Sequence, residues 1–234
     1  MKSLLSASLL FITLSASAIA DDWPQWFGPQ RDGVWRETGI IDKFPSGGPK
    51  VLWRTPVHRG CAGPSVAGDR VFVMDRKALN TPEAKAEGAR SGKVIWQKAY
   101  DCPYTMSYSA GPRVTPLVDG ERIYPFGGEG KLIFRATKDG NEKWSHDFKK
   151  IFSVKTQTWG FAASPLVHRD LLICLGNGDG TTAVAFDKVT GREVWRSLLA
   201  KHPGDGTETI KFRIVLDLSP EKSTFCRFLA TLAE

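Results

Sequence analysis

Four tryptophans stand at nearly even intervals along the chain: Trp53, Trp96, Trp144 and Trp195. Three of them close the same short phrase, with Gly92, Gly140 and Gly191 each four residues ahead of Trp96, Trp144 and Trp195. The tryptophan intervals are 43, 48 and 51 residues. A period in that range marks an array of small structural units rather than one continuous core. Such arrays usually act through the surfaces that stacking creates, so function need not reside in one catalytic cluster.

The other end of the unit recurs in step. Pro64, Pro116 and Pro165 are 52 and 49 residues apart. Each precedes a short apolar run, a polar turn (Ala67-Gly68-Asp69, Asp119-Gly120-Glu121, His168-Arg169-Asp170) and a second apolar run (Arg70 to Met74, Arg122 to Phe126, Leu171 to Leu175). A third run follows at Lys131 to Ala136 and at Thr182 to Asp187, and the Gly-containing turn then leads into a fourth strand bearing the tryptophan. Glycine in these turns supplies the positive φ that tight hairpins require. Four antiparallel strands per unit are therefore expected. One such sheet cannot bury both faces alone, so neighbours must stack, and an indole near each outer edge suits packing between sheets. Radial stacking gives a β-propeller. The expectation is an all-β chain: a partial β-propeller of about three four-stranded antiparallel blades over residues 61–196. Two departures stand out. Lys77 to Arg90 is charged and predicts a loop in place of a third strand, hence a weaker first blade. Pro125 interrupts the second strand of unit two, because proline cannot donate to a ladder.

The ends read differently. Lys2, the apolar stretch Leu4 to Leu14 and the small-x-small sequence Ala18-Ile19-Ala20 make residues 1–20 a secretory signal peptide. An exported protein, periplasmic or extracellular and without a stable membrane span, is expected. Residues 21–60 are read as an N-terminal segment and closing strand. Residues 197–234 carry no further phrase and predict an irregular non-repeat tail, as from a truncated or frame-shifted reading frame. The net charge of +7 is scattered, with Lys149-Lys150 the longest basic run, which argues against nucleic acid as a partner. Cys61, Cys102, Cys174 and Cys226 include no CxxC, and their disulfide state is open.

The phrases resemble the pyrroloquinoline-quinone-like (PQQ-like) propeller repeat, whose signature ends Ala-x-Asp-x-x-Thr-Gly-x-x-x-Trp. Ala185-Phe186-Asp187-Lys188-Val189-Thr190-Gly191 through Trp195 is the fullest match, Ala136 through Trp144 a shortened copy, and Ser91-Gly92 through Trp96 keeps only the end. Asp22-Trp23-Pro24-Gln25-Trp26-Phe27-Gly28-Pro29 and Cys102-Pro103-Tyr104 with Ala110-Gly111-Pro112-Arg113 are similar to secreted members. The repeat is shared by quinone-dependent dehydrogenases and by a lipoprotein of the outer-membrane assembly machinery. In closed members of the family that the chain resembles, the N-terminal segment supplies the outer strand of the last blade; here Lys50 to Arg54 is expected to lack that blade.

Two functions follow as expectations. The first is a non-catalytic binding or scaffold module of the cell envelope, meeting an envelope protein or itself through open sheet edges. The second is a remnant of a PQQ-dependent alcohol or sugar dehydrogenase, with PQQ and calcium over the axis. The residues favour the first. His58, His146, His168 and His202 lack HExxH spacing, no Gly-x-Ser-x-Gly elbow occurs, and the adjacent cysteines common in such dehydrogenases are missing. Gly127-Gly128-Glu129-Gly130-Lys131 and Asn177-Gly178-Asp179-Gly180 read as strand-connecting turns rather than as a phosphate loop or calcium loop. No catalytic or metal-binding residue is assigned. The candidates for holding an anionic or planar ligand are Tyr104, Tyr108 and Arg113 before unit two and Trp159 and Phe161 before unit three, because arginine beside aromatics offers charge and stacking.

Overall fold

A computed structural model describes residues 21–197, except 40, 79–80, 107–110, 157 and 179–180. Residues 1–20, expected to be a signal peptide, residues 198–234, expected to be an irregular tail that includes Cys226, and Tyr108 lie outside the described residues.

The chain forms three four-stranded antiparallel sheets in sequence order. Blade one holds β1 (Ser65–Ala67), β2 (Arg70–Ala78), β3 (Thr81–Gly88) and β4 (Val94–Ala99). Blade two holds β5 (Leu117–Asp119), β6 (Arg122–Tyr124), β7 (Lys131–Ala136) and β8 (Glu142–Asp147). Blade three holds β9 (Leu166–His168), β10 (Leu171–Gly178), β11 (Thr181–Asp187) and β12 (Glu193–Ser197). One short helix, α1 (Phe148–Ile151), follows blade two, capped by the Asp147 carboxylate accepting from the Lys149 amide. The partial propeller read from the sequence is thus the observed fold.

Each sheet alternates its side chains between two neighbours, as the period of two demands. Val118, Ile123 and Ile133 of blade two pack with Phe72, Met74, Ala84, Ala86 and Trp96 of blade one. Leu117, Tyr124, Leu132 and Phe134 face the other way and pack with Leu172, Cys174, Val184 and Phe186 of blade three. The core is therefore a pair of interblade layers.

The repeated phrase acts at these seams. The Trp53 indole N–H donates to the Ala89 carbonyl (2.8 Å), Trp96 to Thr137 (2.8 Å) and Trp144 to Val189 (3.0 Å). The ring of each lies over the next phrase's glycine: a Cβ on Gly92, Gly140 or Gly191 would come within 2.6, 2.6 and 2.7 Å of Trp53, Trp96 and Trp144. All three glycines have positive φ, between 63° and 75°. Glycine is required twice over, by backbone conformation and by the approach of the ring. His146 reinforces the second seam, stacking on Phe186 and placing Nε2 2.7 Å from the Gly191 carbonyl. Trp195 is described, on β12.

The hairpin between first and second strands behaves as read, with Gly68 and Gly120 at φ 58° and 59°; where glycine is missing, Arg169 adopts φ 52°. Pro125 ends β6 at Tyr124, and the Phe126–Leu132 bridge resumes the pairing beyond it.

One expectation is corrected. Residues 81–88 form a full strand, β3, paired on both sides to β2 and β4. Its small residues Ala84 and Ala86 pack toward blade two, while Glu83, Lys85 and Glu87 are buried with their charges partnered. The Lys85 ammonium lies 3.6 Å from both Asp75 and Glu87, Thr55 Oγ1 donates to Glu87 (3.1 Å), and Lys77 lies 3.4 Å from Glu83. Buried charges persist where such partners exist. Lys50 to Arg54 pairs with no sheet. The segment instead crosses blade one as an extended strap, with Trp53 and Thr55 turned to the sheet. His58 fixes its end, donating its backbone N–H to Asp75 Oδ1 (2.8 Å) and placing Nδ1 3.0 Å from Oδ2.

The first residues of the described chain tie the three blades together. Trp23 pairs with Val66 of β1, Val118 of β5 donates to the Pro24 carbonyl, and Arg31 Nη1 donates to the Pro165 carbonyl ahead of β9.

Candidate functional site

The connections between blades meet at one end of the array. Residues 100–106 and 111–116 join blades one and two, and 148–165 join blades two and three. The β6–β7 turn lies between these connections. It is a hairpin turn, with Gly130 N–H donating to Gly127 and Gly127 N–H donating to Lys131.

Glu129 projects from this turn and is fully buried. Oε1 accepts from the backbone N–H groups of Thr105 (2.5 Å) and Met106 (3.0 Å). Oε2 accepts from Thr105 Oγ1 (2.9 Å), Lys149 Nζ (2.8 Å) and Thr156 Oγ1 (2.6 Å). Burial alone would raise its pKa, but the Lys149 ammonium, the Thr156 hydroxyl and the two amides outweigh burial and hold it at about 2. One carboxylate thus ties the turn of blade two to both interblade connections.

Around it lies a basic and aromatic surround. The Arg76 guanidinium at the end of β2 sits 4.0 Å from the centre of the Tyr104 ring. Half-buried Arg113 places Nη2 3.7 Å from Met106 Sδ, on the same arc of chain. Burial pushes the Tyr104 hydroxyl up to about 12 and the Cys102 thiol up to about 11. Neither group is poised to ionise near neutral pH.

The sequence candidates separate here. Tyr104 and Arg113 come together on one arc. Trp159 is 57% exposed. Phe161 is a core residue, 2% exposed, packed on Phe126 and Phe148 with its edge against Gly130, so it offers no face to a ligand. Tyr108 lies outside the described residues. Glu129, Lys149, Thr156 and Arg76 were missed. A glutamate between glycines reads as turn chemistry, and nothing local shows that its carboxylate reaches two other segments. At the opposite end, a cleft of about 1060 Å³ opens between the Ala67–Arg70 and Asp119–Arg122 turns. It mixes Asp69, Asp119 and Asp139 with Arg70, Arg122 and Lys138, and holds none of the candidates.

The model of the family described as outer membrane protein assembly factor BamB matches residues 44–146 and 80–210, more than half of the sequence. The chain belongs to this PQQ-like repeat family. Its fold is similar to quinohemoprotein alcohol dehydrogenase from Comamonas testosteroni, at 20% identity and a TM-score of 0.55, over 76% of this chain and 27% of that one. BamB from Moraxella catarrhalis matches at 19% identity and a TM-score of 0.38, over 55% of this chain and 33% of that one. A europium-containing methanol dehydrogenase matches at 19% and 0.42, over 57% and 23%. This PQQ-like repeat chain spans about a quarter to a third of these structures. No curated protein matches it.

The repeat resemblance raises PQQ with calcium as the group to consider, and the donor set tests the fit. Arg76 and Arg113 suit carboxylates of a planar anion. The calcium half does not fit: Glu129 is the carboxylate of the cluster, and its oxygens already take five protein donors, one a cation. Among the described residues, no group of three His, Cys, Asp or Glu is placed to hold a metal. None of their helices is long and apolar enough to cross a membrane.

Proposed function

We propose that the protein is an exported, non-catalytic binding or scaffold module of the cell envelope. The carrying observation is the engagement of Glu129. This buried carboxylate, between the two interblade connections, is spent on holding them, with both oxygens already engaged by protein donors. The family described by an outer-membrane assembly factor supports an envelope role. An array whose parts are tied rigidly suits presentation of a surface.

The test is titration with PQQ and calcium, followed by dye-linked alcohol oxidation. The expected result is no saturable change in tryptophan fluorescence and no turnover. Turnover that requires both additions and disappears in Arg113→Ala would replace this reading with the dehydrogenase one. Fractionation of cells expressing the full gene tests export, with Asp21 expected as the N-terminus of the processed chain.

A further inference from the structure

The strap and the β3–β4 turn lie side by side on the outer rim of blade one, because Trp53 bonds Ala89 and covers Gly92. Trp53 and Thr55 turn inward, so the residues between and before them turn out. Leu52 is 65% exposed and Val51 55%; on the adjoining strand Val94 is 53% and Ile95 44% exposed. Four large aliphatic side chains therefore stand in solvent around one indole socket. The exposed basic residues Lys50, Arg54, Arg90 and Lys93 flank them in sequence. Glu87, which Thr55 touches, is buried and already holds Thr55 and Lys85, and Asp69, whose carbonyl accepts from the Ala89 amide, sets its exposed carboxylate 3.4 Å from Arg70. From Lys43 to Gly68 the chain contains no Asp or Glu.

From this patch we infer that the rim of blade one binds an anionic lipid surface. Exposed aliphatics ringed by Lys and Arg match the boundary between acyl chains and acidic headgroups, where both halves gain. A second copy fits less well, since a twofold contact would set the same four cations against themselves on a chain of net charge +7. A nucleic acid would answer the charges and leave the aliphatics in water. The inference stands apart from the non-catalytic reading, because lipid affinity is measured without regard to turnover.

The test uses the full chain and vesicles of phosphatidylglycerol with phosphatidylcholine, against phosphatidylcholine alone, in co-sedimentation at physiological and raised salt. Binding is expected to the anionic vesicles only and to weaken with salt. Arg90→Glu with Lys93→Glu should reduce partitioning about twentyfold or more, since each surface cation contributes roughly fivefold. Leu52→Ser with Ile95→Ser should reduce it about tenfold or more, as apolar area is withdrawn from the acyl boundary. Both pairs are exposed, and unchanged melting curves would show that the fold is kept. Absence of vesicle binding, equal binding to both vesicle types, or insensitivity to either pair would overturn the inference. So would tighter binding to a single-stranded oligonucleotide, or a dimer in sedimentation that Leu52→Ser with Ile95→Ser dissolves.

Discussion

Single residues set the terms of each seam. Gly140 has φ 70°, and an added Cβ would stand 2.6 Å from the Trp96 ring, whereas Gly68 has φ 58° with nothing within 4 Å. Gly68→Ala should therefore cost only the backbone penalty, about 1 kcal/mol. Gly140→Ala adds displacement of the indole and loss of its bond to Thr137, about 3 kcal/mol in total. Urea unfolding of the two variants measures the difference. Glu129 gives the pH dependence. Its folded pKa, about 2, lies below the usual 4.5, so its contribution to stability is complete above pH 4.5 and is lost as pH falls to about 2. Asp75 is lowered too; burial opposes the shift, but hydrogen bonds from His58 and the Arg76 amide and the charge of Lys85 outweigh it, which adds to the same acid loss. Thermal melts of Glu129→Gln between pH 5 and 2 (roughly the carboxylate range) should be flatter than wild type and lower at neutral pH by about 3 kcal/mol. Equal slopes would mean that another group carries the acid transition.

Among the elements, β3 is the most informative. Replacing Lys85 alone with Met should destabilise by about 3 kcal/mol, because Asp75 and Glu87 stay buried without their shared cation. Adding Glu87→Met should recover a large part, since Asp75 keeps its bonds from His58. A double variant no better than the single would refute this account of the strand. The same strand shows why reading it in advance fails. Lys131 to Ala136 announces β7 by its apolar run, and the observed bounds match. In Thr81–Gly88 the alternation of period two is intact, but one face is alanine and the other is charged, so the hydrophobic signal that marks a strand is missing. The hairpin at Gly120, the break at Pro125 and the Gly–Trp phrases were legible because each rests on local backbone chemistry. Glu129 was not, because its donors come from Thr105, Met106, Lys149 and Thr156, at least 20 residues away.

For the whole molecule, the tie through residues 22–31 matters most, and the sequence hides it. Trp23 and Pro24 engage blades one and two through backbone groups, which any residue carries. Arg31 supplies a side-chain contact of the tie to blade three, its Nη1 2.9 Å from the Pro165 carbonyl. Arg31→Ala should raise amide exchange over residues 22–31 about tenfold, one charged hydrogen bond's worth, while leaving β7 and β11 unchanged. Exchange that rises equally in all blades would show that the segment is part of one cooperative unit.

The seams also have a sense. At each, the earlier unit gives the indole and the later one receives it over glycine. A duplicate of one unit spliced in frame between two others would find fittings at both joints, whereas half a unit, or blades shuffled out of phase, would find none. Growth by duplication in steps of roughly fifty residues is thus built into the joint itself.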